Sequence, residues 1–225
     1  MNIGQKLAYA AFVSLLFATL VISESGCVIA ADLTGIAASA DEIQPVQTGQ
    51  MAPKFTVRTV DDEPFVFDPE NLDAPAILIT FRGGWCPFCN MHLAELKDVV
   101  PAIKDKGIDI YFLSGDRPEL LYASLKLETQ EDIAGLGYTI LSDANIDAAR
   151  ALGIAFKASD ATIGSREKKG QDIEGSSMRN FGVLPVPAVY VIDASGKVTY
   201  SFVEPNYKVR LPADDLLQAA NEVAN

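Results

Sequence analysis

An α/β domain is predicted, with a mostly parallel sheet, helices on both faces and a hairpin at its N-terminal edge. Three observations predict it. Continuous apolar runs of strand length, Ala76 to Phe81 and Ile108 to Leu113, are separated by a stretch whose apolar residues recur at helical spacing. Two alternating segments, Phe55 to Val60 and Phe65 to Phe67, flank an acidic turn, Asp61 to Pro64. The chain has 225 residues, 49% hydrophobic and 21% charged, which suits one buried core and excludes a disordered chain.

In chain order, Lys6 is followed by the apolar stretch Leu7 to Ile22, a polar break over Ser23 to Gly26, and small residues at Ala30 and Ala31. A basic start, an apolar middle and a small-residue end read as an export signal over residues 1–31. A retained membrane anchor and a lipoprotein signal ending at Cys27 are the alternatives; the stretch falls just short of the ~17–25 residues a spanning helix needs. Residues 32–50 are small, polar and aperiodic, and read as a flexible spacer ahead of a domain over 51–225. After the hairpin and the Ala76 strand, Leu93, Leu96, Val99, Val100 and Ile103 mark a helix that Pro101 kinks and Gly107 ends. The Ile108 strand comes next. A turn over Ser114 to Pro118 leads into a helix reaching about Leu127, then a strand at Tyr138 to Leu141 and a helix over Ala144 to Leu152 closed by Gly153. Residues 157–183, rich in Gly, Ser and charge, form a long excursion of the functional or mobile kind. A hairpin, Ala188 to Ile192 and Val198 to Phe202, and a helix over about Ala213 to Val223 complete the domain.

The net charge of −12, from 18 basic and 30 acidic residues, opposes binding to phosphate backbones and anionic membranes. Nucleic-acid partners are therefore excluded, and a membrane is met only through an uncleaved N-terminal anchor. Of three cysteines, Cys86 and Cys89 are the pair left after the signal. Their loop is too small to remove much unfolded-state entropy, so a disulfide there suits redox chemistry better than stapling. With Pro87 at the first helical position, Cys86 falls at the N-cap, where free amides and the helix dipole favour a thiolate. Cys86 is the expected nucleophile and Cys89 the resolving thiol. The same spacing supplies half of many zinc sites, but no second pair completes four ligands. His92, the single histidine, reads as a partly exposed helix residue; a copper carrier using Cys86, Cys89 and His92 is the rival from another class. Trp85 is expected to shield the disulfide and offer a flat docking face. Arg82 lends positive charge, and Gly83 and Gly84 let the backbone approach a substrate closely.

The segments FRGGWCPFC, LSGDRPE, LSDANIDAARALGI and LPVPAVYVID, in that order, resemble the thioredoxin superfamily, in particular the peroxiredoxin-like branch of the AhpC/TSA group. The resemblance spans about residues 51–223. It implies a thioredoxin-like fold with a central mixed sheet flanked by helices and an added N-terminal hairpin. Thiol-dependent reduction of disulfides or peroxides is implied too, with a protein or small thiol as electron donor and no cofactor. A cytochrome-maturation-type disulfide reductase is the alternative within the same chemistry. Pro187, or Pro185 beside it, looks like the superfamily's cis proline, with an ordinary trans proline as the alternative reading. Tyr207 and Arg210 resemble a segment recurrent in the branch. Three positions depart from the pattern. Where the peroxiredoxin loop carries Pro and then Thr or Ser before its reactive Cys, this chain has Ile79 and Gly83, and the buried acid of thioredoxin is replaced by Thr80. Efficient peroxidase activity is not expected without the hydroxyl.

Overall fold

The computed structural model describes residues 34–224; the segment expected to be an export signal, with Cys27, lies outside them. Strands β1 (Phe55–Arg58) and β2 (Pro64–Phe67) pair antiparallel as the expected hairpin, with Phe55 stacked on Phe67 at 5.0 Å. Strand β3 (Ala76–Phe81) is buried along its whole length because it lies between β4 (Asp109–Ser114), which is parallel to it, and β8 (Ala188–Ile192), which is antiparallel. With β5 (Thr139–Ser142) and β9 (Val198–Val203), the sheet has seven strands in the order β2-β1-β5-β4-β3-β8-β9. The parallel centre β5-β4-β3 carries an antiparallel pair on each side, so the sheet is mixed, with two of its six pairings parallel, rather than mostly parallel as periodicity alone suggests.

Helix α1 (Pro87–Glu95) follows β3, and the expected kink is realised as a break: a single tight turn over Leu96–Asp98 precedes α2 (Val100–Lys104), with Pro101 in its first turn. Pro101 has no N–H to give a continuous helix but fits the start of a new one. A larger difference follows β4. The helix expected to end near Leu127 instead begins there, as α3 (Leu127–Ile133). Residues 118–126 form only a short turn at Pro118–Leu120 and a loop, tied down where the Lys126 N–H donates to the Asn90 side chain at 2.8 Å. Helix α4 (Asp147–Ala151) ends ahead of Gly153, whose φ of +70° a side chain would strain.

The excursion is built on a two-stranded ribbon, β6 (Ala155–Lys157) with β7 (Val183–Pro185), and contains α5 (Asp160–Lys168) and α6 (Ser177–Phe181). Ser159 and Ser176 cap the two helices by accepting from the N–H groups of Thr162 and Arg179. Helix α7 (Ala213–Val223) matches its expected span.

The expected flexible spacer needs correction from residue 34 onward. Ala37 donates to the Ala155 carbonyl and accepts from Lys157, both at 2.9 Å, so it adds a third line to the ribbon. Gln44 and Val46 donate to Gly153 and Leu152, and Gly49 and Gln50 bracket Val198. Ile36, Ile43 and Val46 pack on the core. The segment pairs at isolated points rather than as an element, so its sequence carries no period.

Candidate active site

The carboxyl end of β3 delivers Arg82, and the turn Gly83–Gly84–Trp85 leads to Cys86, the N-cap of α1. The Cys86 carbonyl accepts from the N–H groups of Cys89 and Asn90, both at 3.1 Å, which closes the first turn and stacks the two sulfurs on one side of it. Both cysteines are free thiols and each is 1% exposed. They differ in electrostatics. A hydrogen bond from the Cys89 thiol pulls Cys86 down to about 6, helped by the Cys89 N–H and by the charges of Arg82 and Arg210, against the cost of burial. Burial pushes Cys89 well above the usual thiol range, and the Cys86 thiolate beside it adds to that. The shifts run in opposite directions, down at Cys86 and up at Cys89.

Four side chains from three separate segments surround the pair. Arg82 is 5% exposed and lies with its guanidinium 4.2 Å from the Tyr207 ring centre. Arg210 donates through Nη2 to Cys89 Sγ at 3.5 Å and through Nη1 to the carbonyls of Tyr207 and Val209. Arg166 of the excursion also lies near Tyr207, 5.4 Å from the ring centre, and Phe88 meets the same ring edge-on at 5.6 Å. Arg166 also lies 5.9 Å from the Trp85 ring.

Several sequence expectations are changed here. Trp85 is only 8% exposed and is covered by Arg166, so it is not a flat docking face. Gly83 and Gly84 do not open the backbone to a substrate. A Cβ on Gly83 would fall 2.5 Å from Asp116 Oδ1, and one on Gly84 would fall 2.1 Å from Ser124 Oγ and 2.4 Å from the Ser124 backbone, so both glycines make room for the chain itself. His92 is buried at 5% exposure rather than partly exposed; its Nε2–H donates to the Leu211 carbonyl at 3.2 Å. Burial and the charge of Arg210 drive its pKa down to about 4, which keeps the ring neutral. Among the described residues no group of three or more His, Cys, Asp or Glu is arranged to hold a metal ion, which removes the support for the copper carrier. Pro187 is buried, and every peptide bond among the described residues is trans, contrary to the cis expectation. Thr80 braces this segment: its hydroxyl donates to the Val186 carbonyl at 3.0 Å and accepts from the Ala188 N–H at 2.9 Å.

Three residues that the sequence did not single out complete the site. Asp116, at the end of β4, is 2% exposed and gathers the Gly84 N–H at 2.7 Å, the Ser124 hydroxyl at 2.8 Å and the Ser114 hydroxyl at 3.3 Å on one oxygen. Burial pushes its carboxyl above the usual range. Asn90 donates to the carbonyls of Gly84 and Cys86 at 2.6 and 3.0 Å while accepting from Lys126. Its place four residues past Cys86 on the same helix was the available signal. Arg166 is the third, and nothing in its charged surroundings distinguishes it before folding.

Known proteins can now be set beside this geometry. Residues 48–201 match the AhpC/TSA family. The chain belongs to that family. It is similar to the thiol-disulfide oxidoreductase ResA of Bacillus anthracis, at 23% identity over 168 residues, covering 75% of this chain and 76% of the relative. Peroxiredoxin Bcp of Escherichia coli K12 is 24% identical over 161 residues, covering 71% and 87%. Among solved structures, reduced Prx3 of Vibrio vulnificus in complex with hydrogen peroxide superposes with a TM-score of 0.59 at 19% identity, covering 78% of this chain and 99% of that one. A peroxiredoxin-like protein of Aquifex aeolicus gives 0.57 at 18% identity, covering 80% and 89%. The AhpC/TSA chain thus has the thioredoxin-like fold and is a thiol-dependent oxidoreductase. No helix among its described residues is long and apolar enough to cross a membrane.

Proposed function

We propose that this AhpC/TSA chain is an exported thiol–disulfide oxidoreductase in which Cys86 is the nucleophile and Cys89 the resolving thiol. The observation that carries this reading is the placement of two free thiols on the first turn of α1, Cys86 at its N-cap and Cys89 one turn further in. The downward shift at Cys86 and the upward shift at Cys89 support it. In the reaction, the Cys86 thiolate forms a bond to one sulfur of a substrate disulfide and the other sulfur leaves as a thiolate. Cys89 then gives up its proton, attacks Cys86 Sγ and expels the second substrate thiol. The substrate gains two electrons, the enzyme becomes the Cys86–Cys89 disulfide, and a thiol donor must reduce it again. Export rests on the order of charge, apolar stretch and small residues at the start of the sequence.

Peroxide is the second reading, favoured by the guanidiniums beside the thiolate, which could face a developing negative oxygen. Against it stands position 83. A side-chain hydroxyl cannot be accommodated there, because Asp116 and Trp85 occupy the space a Cβ would need. Losing one aligned donor typically costs ~10²–10³ in rate. Stopped-flow fluorescence of Trp85, the single tryptophan, follows the thiols directly. Reduced protein is expected to react faster with a small disulfide than with hydrogen peroxide. Cys86→Ser should abolish both reactions, and Cys89→Ser should accumulate the mixed disulfide. Disulfide turnover retained in Cys86→Ser overturns the assignment, and peroxide reacting faster than disulfide replaces it with the peroxidase reading.

A further inference from the structure

The chain has seven arginines, and the fold divides them into two sets. Arg58, Arg117, Arg150 and Arg179 lie away from the sulfurs and each faces a carboxylate, at 2.8 Å from Asp62, 3.1 Å from Glu119, 4.0 Å from Asp147 and 3.2 Å from Glu167. Arg82, Arg166 and Arg210 form the other set. Among the described residues none of them pairs with an acid; their neighbours are the Tyr207 and Trp85 rings, the Gln171 amide, two carbonyls and Cys89. In a protein with net charge −12 and abundant acids, three guanidiniums without a carboxylate partner at one place set this cluster apart from the other four arginines.

Their burial strengthens the point. Arg82 is 95% removed from solvent by its 5% exposure, and its Nε has no hydrogen-bond partner; the buried Nε of Arg210 has none either. A buried cation is costly without an anion. The Cys86 thiolate can balance only one of the three, and His92 nearby is neutral. Once Cys86 enters a mixed disulfide even that charge is gone. A substrate bearing its own negative group would restore the balance at that step, and its leaving thiolate would depart through the same cationic surroundings. Asp116, Asp172 and Glu174 line a groove of about 500 Å³ on the Trp85 and Pro87 side, and none of them pairs with Arg82, Arg166 or Arg210.

We propose that the Arg82, Arg166, Arg210 and Tyr207 cluster is a binding site for a carboxylate carried by a small-molecule disulfide, so that the enzyme prefers anionic disulfides. The inference rests on the disulfide reading above and adds the substrate's charge. Size follows from exposure: Cys86 and Cys89, each 1% exposed, are reached more readily by a flexible small molecule than by a folded protein. Arg166 and Arg210, both half-buried, are the two guanidiniums more open to a ligand, and Arg82 is buried.

The test uses reduced full-length protein in single-turnover stopped flow with three disulfides of similar size: 3,3′-dithiodipropionate (dianionic), 2-hydroxyethyl disulfide (neutral) and cystamine (dicationic). Each rate is divided by that of a free small thiol with the same disulfide, which removes intrinsic reactivity. The ionic strength is about 0.15 M, where the far field of the −12 charge is screened but close, buried groups are not. We expect the dianion to be favoured over the dication by about tenfold or more. Arg166→Gln should reduce that ratio several-fold, and Arg166→Lys should restore part of it. Reduction of the neutral disulfide without any charge order, or a ratio that Arg166→Gln leaves unchanged, overturns this inference alone. If none of the three is reduced, the disulfide reading falls and this inference falls with it.

Discussion

The two flanks of the first turn of α1 are held by opposite chemistry. On one flank Arg82, Arg210, Tyr207 and Arg166 approach the sulfurs with charge and aromatic faces, and two of them act directly on the ionisation of Cys86. On the other, Asp116, Asn90 and Ser124 bond the backbone of Gly84, Cys86 and Lys126, one another and the Ser114 hydroxyl, and none of them bonds a sulfur. The first flank therefore sets how reactive the sulfur is, and the second sets where it is. Exposure alone does not decide the sign, since Cys86 and Cys89 are each 1% exposed and shift in opposite directions. A buried group takes its charge state from the donors and charges it faces.

The positioning flank is the one to break first. In Gly84→Ala the new Cβ meets Ser124 and Leu125 backbone atoms at 2.4 and 2.6 Å, contacts that no rotamer change relieves. Pushing that loop away also separates Ser124 from Asp116 and Lys126 from Asn90. We expect a loss of about 3 kcal/mol, at the upper end for overpacking. Urea unfolding should show a lower midpoint with an unchanged slope; an unaltered midpoint would mean that the loop is not packed against Gly84.

A smaller effect separates positioning from tuning. Asp116→Ala strands the Gly84 N–H and two hydroxyls in a buried place and should cost ~1–3 kcal/mol, whereas Asp116→Asn keeps an oxygen for all three and should stay within about 1 kcal/mol. Neither should move the alkylation midpoint of Cys86 appreciably, because Asp116 is not among the groups acting on that thiol. A midpoint shifted as far by Asp116→Asn as by a change at Arg210 would dissolve the distinction between the flanks.

How far the sequence foretold this arrangement depends on the kind of interaction. The sheet, the hairpins and α7 were legible because each buries side chains with a period of its own. β6 and β7, three residues each, are too short to show one, and residues 34–50 pair only at scattered points such as Ala37 and Gly49. The loop before α3 follows from one side chain, Asn90, taking the Lys126 N–H, a long-range bond that local propensity does not register. At the site, the cysteines were legible from spacing and the N-cap. His92 was misjudged because α1 is short and its buried face is decided by the Leu211 segment, which comes from 119 residues downstream. Arg166 and Asp116 look like ordinary loop and helix polar residues until β7 and β4 bring their segments to the turn.

The last prediction concerns the tuning flank. Arg210→Met keeps the aliphatic length but removes a charge that lowers Cys86 and a donor to Cys89 Sγ. The Cys86 midpoint should rise from about 6, by up to about one unit for a partly screened neighbouring charge. A rise of that size barely shows at pH 7, where the thiolate fraction falls by less than about twofold, but lowers it about fivefold at pH 6. Alkylation should therefore be compared at pH 6, with Arg210→Lys as the control that keeps the charge. Stability gives an independent reading with a defined sign. A thiol whose folded pKa is depressed stabilises the fold above its unfolded value of ~8.5, and that contribution is lost as pH falls from there through about 6. The reduced wild type should lose stability across this window. The same loss in Arg210→Met should be smaller and should end at a higher pH. Equal pH dependence in the two proteins, together with equal alkylation at pH 6, would place Arg210 among the groups that merely fill space beside Tyr207.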